Sequence, residues 1–270
     1  MKPVATILKN FFLHDDFFLA ANISFYALLS LVPIILIVFS LVGFFLGSSQ
    51  EVYHQLVTAL ADLLPQVKVF LLKNLNEVVG QRHSFGVVGL LFLIFIATLL
   101  FGAIEKALDI VFATEKKRNF FHSRLIAIAL IGFISFFFFL PTAADLFTRG
   151  LAHLGLNFPL GVILRGKLFF ILFSFVSFVL VVFWVPHHRV RWKYALLGGV
   201  VFALGIFIAK QFFRWYFLWS FARYNVIYGS LTAFVLLILW IFYVANILLF
   251  SAEIVAYLQI RHSQRVANRP

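Results

Sequence analysis

YNVIYGSLTAFVLLILWIFYVANILLFSA, residues 224–252, runs between Arg223 and Glu253 without one charged side chain. At 1.5 Å of rise per residue, about 20 residues cross the hydrocarbon core of a bilayer, so the stretch spells a membrane-spanning helix with residues to spare. It is not uniformly apolar. Asn225, Gly229, Thr232, Tyr243, Asn246 and Glu253 recur at helical spacings, which gathers them into an arc of roughly 120°. Tyr228 stands beside them. A helix surrounded by lipid alone has no use for such a stripe, because an uncompensated polar group in hydrocarbon costs on the order of a few kcal/mol. The stripe is expected to face other helices.

The rest of the chain agrees. Of 270 residues, 63% are hydrophobic and 12% charged, with a mean hydropathy of +1.04. No soluble domain of this size has that balance. With no Cys, neither a disulfide framework nor a thiolate metal site is available. The net charge of +12 comes from Lys and Arg spread through every loop and helix end. That distribution marks the flanks of membrane helices and not a nucleic-acid patch.

Residues 1–16 set Lys2, Lys9, Asp15 and Asp16 around Ile7, Leu8, Phe11 and Phe12, the pattern of a short amphipathic helix at the membrane surface. The charge-free stretches then predict six spans, at about 22–47, 84–108, 125–145, 168–186, 194–214 and 225–252. The first is too long for a signal-peptide core, so a retained span is expected. Apolar residues of helical period on either side of Pro65 predict short amphipathic helices in the first external loop. Ala195, Gly199 and Ala203 form a small-residue ridge for close helix approach. The fold class is therefore all-α and polytopic, read as one integral membrane domain over 1–270. Alternate loops carry 13 and 9 of the Lys and Arg residues, and the positive-inside rule then puts both termini in the cytoplasm.

Three separated strings resemble the YihY/BrkB family of bacterial inner-membrane proteins: ANISFYALLSLVP at 21–33, WVPHHRVRWKYALLGG at 184–199, and YGSLTAF at 228–234 followed by Trp240, Tyr243 and the SAE of 251–253. The resemblance covers essentially the full length in order. It implies a polytopic helical protein of the inner membrane, in a family that has carried a ribonuclease label.

That label finds no chemistry in the residues. Metal-dependent phosphodiester cleavage needs clustered His and carboxylates beside a water, and of the eight His only His187 and His188 are adjacent. Neighbours in sequence point to different sides of a helix, so this pair reads as an interfacial cap and not a chelate. Intramembrane proteolysis has no GxGD or HExxH motif to rest on. No catalytic residue, metal site or cofactor is assigned, and no enzyme is expected. The first span carries a second stripe, Asn22, Tyr26, Ser30, Pro33 and Ser40, within about 80°. The two stripes are expected to line a cavity or to pack helices. Glu105, Asp109, Arg189, Arg191 and Lys193 form a charge cluster at the cytoplasmic end. The leading expectation is transport or translocation of a lipid-like substrate in envelope biogenesis, with membrane lipids, anionic ones included, as partners and no nucleic acid. A non-transporting scaffold for envelope assembly is the alternative, and a membrane-surface hydrolase the third.

Overall fold

The computed structural model describes residues 3–37, 40, 82–114, positions 125–130, 132–133, 136–137, 140–141, 144 and 148, and residues 166–188, 190–228 and 230–267. The main elements are α1 (Pro3–Leu13), α2 (Asp16–Leu29), α3 (Arg82–Val111), α4 (Lys167–Trp184), α5 (Trp192–Tyr228) and α6 (Ser230–Ala267). Among the described residues there is no strand, as a chain needing all its backbone bonds satisfied inside lipid requires.

Among the described residues, five helical stretches are long and apolar enough to cross a membrane: Asp16–Ile37, Gly86–Val111, Lys167–Trp184, Trp192–Tyr216 and Phe234–Gln264. The protein is a polytopic helical membrane protein. The span expected at 125–145 is helical at every described position, and the remainder of it lies outside the described residues, as do the helices expected in the first external loop up to residue 81. The last expected span is revised at both ends. Asn225 and Tyr228 complete α5, Thr232 onward belongs to α6, and α6 runs on past Glu253 to Ala267. Taking a charge as a boundary ended the span at Glu253, whereas this carboxylate is buried inside the helix bundle. No single helical stripe joins Asn225 to Glu253.

The chain forms two compact units, one of residues 1–24 with 101–270, the other of 25–100. In the first, α5 packs against both α4 and α6. Between helices in lipid there is little hydrophobic gain, so close fit must hold them together. The expected small-residue ridge supplies it: Ala195 and Ala203 are buried, and a Cβ on Gly199 would lie 2.8 Å from Val179 and 2.9 Å from Phe175 on α4. Gly198 is tighter still, with Val255 of α6 and Phe178 of α4 inside the space of a Cβ. The Phe178 ring stacks on Phe202, centroids 5.0 Å apart.

Helix α1 is the expected amphipathic element. Its buried Phe11 meets Phe250 of α6 edge-on at 5.9 Å, while Leu8, Phe12 and Leu13 stay exposed. In the second unit helical backbone resumes over 31–37 after a turn at Ser30. Pro33 has no N–H for the carbonyl one turn back. The same stretch sits close to α3, where a Cβ on Gly89 would lie 3.2 Å from the Pro33 carbonyl oxygen.

Candidate functional site

The turn between α1 and α2 builds the first cluster. Asp15 adopts a positive φ of 54°, a left-handed conformation that Asp tolerates better than most residues. Its carbonyl oxygen accepts from the amides of Phe18 and Leu19 at 2.8 and 3.1 Å, starting α2. His14 and Asp16, on either side of this residue, meet Glu253 of α6. His14 Nδ1 is 2.5 Å from Glu253 Oε1. One turn back along both helices lies the Phe11–Phe250 contact, which registers α1 on α6 so that the polar pair can form.

The environment of this cluster is unusual. Asp16 is 0% exposed and Glu253 1%. Among the described residues, neither carboxylate oxygen of Asp16 has a hydrogen-bond partner, and nor does Glu253 Oε2. Among the described residues no Lys or Arg pairs with either acid. Ligand atoms of His14, Asp16 and Glu253 all lie within 4.8 Å of one another. Buried unpaired charge is costly, and polar groups without partners inside a native protein demand a reason.

A second histidine and acid cluster lies at the end of α3. His187 donates its backbone N–H to Asp109 Oδ1 at 3.0 Å and its Nδ1 bonds Oδ2 at 2.7 Å. Its Nε2 faces Glu105 Oε1 at 3.6 Å. Here one carboxylate holds both the backbone and the ring of the residue that leads from α4 to α5, an arrangement that fixes the corner.

The charge cluster expected at the cytoplasmic end is thereby divided. Glu105 and Asp109 go to His187. Arg191 reaches α6, its backbone N–H donating to Gln259 Oε1 at 3.3 Å and its guanidinium lying 2.9 Å from the His262 ring. Lys193 lies 5.8 Å over the Trp192 ring, and Arg189 is outside the described residues. The ends of α3, α4 and α6 and the start of α5 share these contacts.

Helices α5 and α6 part around a groove of about 550 Å³ walled by Ile208, Phe212, Phe213, Tyr216, Trp240 and Tyr243, with Gly205 at its edge. A Cβ on Gly205 would lie 2.8 Å from Ile247, so the helices touch there. Lys210 and Arg214 of α5 are exposed on the same turns, and Lys210 Nζ sits 4.0 Å over the Phe170 ring.

The sequence-derived stripe is dispersed by the fold. Tyr243 lines the groove, Asn246 turns back to the Phe242 carbonyl at 2.8 Å, and Glu253 joins the His14 cluster. Asn22 is exposed on α2 and is not the partner of Glu253. Tyr26, Ser30 and Pro33 belong to the second unit, where Ser30 Oγ bonds its own helix at the Ala27 carbonyl, 2.6 Å away. Gly229 and the side chains of Asn225, Tyr228 and Thr232 lie outside the described residues. The sequence assigns neither His14 nor Asp16 to a site and reads His187, with His188, as an interfacial cap. The separation of 239 positions from His14 to Glu253 leaves no periodic signal to follow. The one local hint was an acidic pair, Asp15 and Asp16, set directly against the longest charge-free stretch.

Residues 7–270 match the family model described as Virulence factor BrkB. The chain belongs to this family. BrkB relatives that it resembles include a UPF0761 membrane protein of Psychromonas ingrahamii, 29% identical over 89% of this chain and 82% of the relative. Another, from Actinobacillus pleuropneumoniae, is 26% identical over 97% of this chain and 95% of the relative. A third, from Chromohalobacter salexigens, is 27% identical over 96% of this chain, which spans 63% of that protein's length. All three carry the words "membrane protein" in their names, as the helical spans of this BrkB chain require. No solved structure matches.

Proposed function

We propose that this chain is a multi-pass protein of the bacterial inner membrane, both termini cytoplasmic, that translocates an amphipathic, lipid-like molecule without catalysing a reaction. The observation that carries this reading is the groove between α5 and α6. Its volume of about 550 Å³ and its aromatic walls are those of a site for an apolar ligand. It lies inside two spans, where the ligand at hand is an acyl chain. Lys210 and Arg214 would meet an anionic headgroup at the level where such side chains reach the interface.

The test fills the groove. Ala209 lines it, and Ala209→Phe puts a ring where the chain would lie while leaving both histidine clusters untouched. In proteoliposomes holding a fluorescent anionic phospholipid, the wild-type protein should accelerate dithionite-accessible exchange between leaflets. Ala209→Phe should cut the rate about tenfold, the loss of roughly 1.4 kcal/mol. Wild-type vesicles no faster than protein-free ones would remove the reading.

A further inference from the structure

We infer that His14, Asp16 and Glu253 form a binding site for one divalent transition-metal ion. Nothing in the lipid reading requires it, and the two stand or fall separately.

Asp16 and Glu253 are shut away from solvent at 0% and 1% exposure, and among the described residues only His14 is positioned to offset them. With both acids ionised, a protonated His14 leaves the trio with one net negative charge. A divalent ion that takes the place of the imidazole proton brings the sum to zero: two carboxylates, a neutral imidazole and the ion. In a low-dielectric surround, neutral is the state with the smallest burial cost.

Three of the four carboxylate oxygens, Oδ1 and Oδ2 of Asp16 and Oε2 of Glu253, have no partner among the described residues. A fold that only needed to clip α1 to α6 had the His14–Glu253 bond and the Phe11–Phe250 contact for the purpose. Asp16 adds nothing to that clip. Its carboxylate is a buried acceptor aimed into a cluster whose donor atoms already lie within 4.8 Å. An ion with bonds of about 2 Å draws three such atoms together by modest side-chain rotation.

The donor set selects the class of ion. One imidazole nitrogen with two carboxylates suits zinc and its first-row neighbours, whereas magnesium and calcium favour oxygen alone. His14 is the member with access, its side chain 31% exposed. It provides the entry, and its Nδ1 proton leaves to water as the ion binds. The Asp109–His187 pair makes a poor competitor, because Asp109 is already occupied by the backbone and ring of His187.

The experiment uses the full chain in detergent, purified without a polyhistidine tag, stripped with EDTA and desalted. Zinc binding is read by calorimetry and by the zinc-dependent rise in thermal midpoint. Wild-type protein should bind one zinc per chain and gain several degrees. Asp16→Asn with Glu253→Gln should weaken zinc at least about 100-fold, as expected when anionic ligands are replaced by neutral amides. Asp109→Asn should bind zinc as the wild type does. Folding is followed separately through the midpoint in EDTA, so a collapsed variant is not mistaken for an empty one; Asp16→Asn alone serves if the double variant fails to fold. Absence of zinc binding by the wild type, or binding that the double variant or Asp16→Asn retains in full, overturns the assignment.

Discussion

Two clusters of the same composition, one histidine with two acids, lie in the same compact unit and are built to opposite rules. In the Glu105, Asp109 and His187 group, one carboxylate takes a backbone N–H and a ring nitrogen at 3.0 and 2.7 Å. Its acids are also partly open, at 17% and 20% side-chain exposure. In the His14, Asp16 and Glu253 group the acids are closed off and three carboxylate oxygens lack partners. The difference teaches that residue type does not separate a structural clip from a site; what separates them is whether the bonding capacity of the carboxylates is spent, since His187 Nε2 in the clip is itself buried without a hydrogen-bond partner. Spent capacity stabilises the fold. Unspent, buried capacity destabilises it and calls for a ligand.

The largest effect expected from this contrast is at Asp109. Asp109→Ala removes the acceptor for both the backbone and the ring of His187 and leaves buried donors unpaired, costing about 2–4 kcal/mol. A lowered thermal midpoint, with faster amide exchange at the α4–α5 corner, is the expected result. An unchanged midpoint would mean that this cluster is no clip. Next comes packing. Gly198→Val drives a branched side chain into Val255 and Phe178, for about 1–3 kcal/mol. It sharpens the comparison because the three proposed ligands lie on the α1–α2 turn, α2 and α6 and none on α5. The midpoint should fall while the gain on adding zinc persists. Loss of that gain would show that the site depends on the α5–α6 contact.

Much of this fold was legible because its signals are local. Charge-free runs exposed the membrane helices, and the four-residue spacing of Ala195, Gly199 and Ala203 foretold a tight ridge that the burial of all three bears out. Amphipathic spacing revealed α1 with its buried Phe11. The candidate site was less legible. Glu253 and Tyr243 stood out as polar residues in an apolar run, yet one joins the His14 cluster and the other lines the groove. A helical stripe predicts a shared face only while the helix continues, and the chain passes from α5 to α6 between Tyr228 and Ser230. His14 and Asp16 escaped notice because a chelating set assembled across 239 residues depends on how α1 docks, which no spacing rule encodes. His187 was read from its neighbour His188, although its partner is Asp109, 78 positions away.

The smallest expected change belongs to Asp16, and it bears most directly on the central claim that the His14 cluster holds unspent capacity. The decisive measurement compares Asp16→Asn and Asp109→Asn in EDTA by thermal midpoint in the same detergent. Asp16→Asn removes a buried charge with no bonds to lose, and its only debit is a favourable helix-start position of about 0.5 kcal/mol. It should melt within about 0.5 kcal/mol of the wild type or above it, as proteins with replaced buried charges often do. Asp109→Asn should melt clearly lower. Equal losses at the two positions would show that Asp16 is as much a structural partner as Asp109, and would contradict the account.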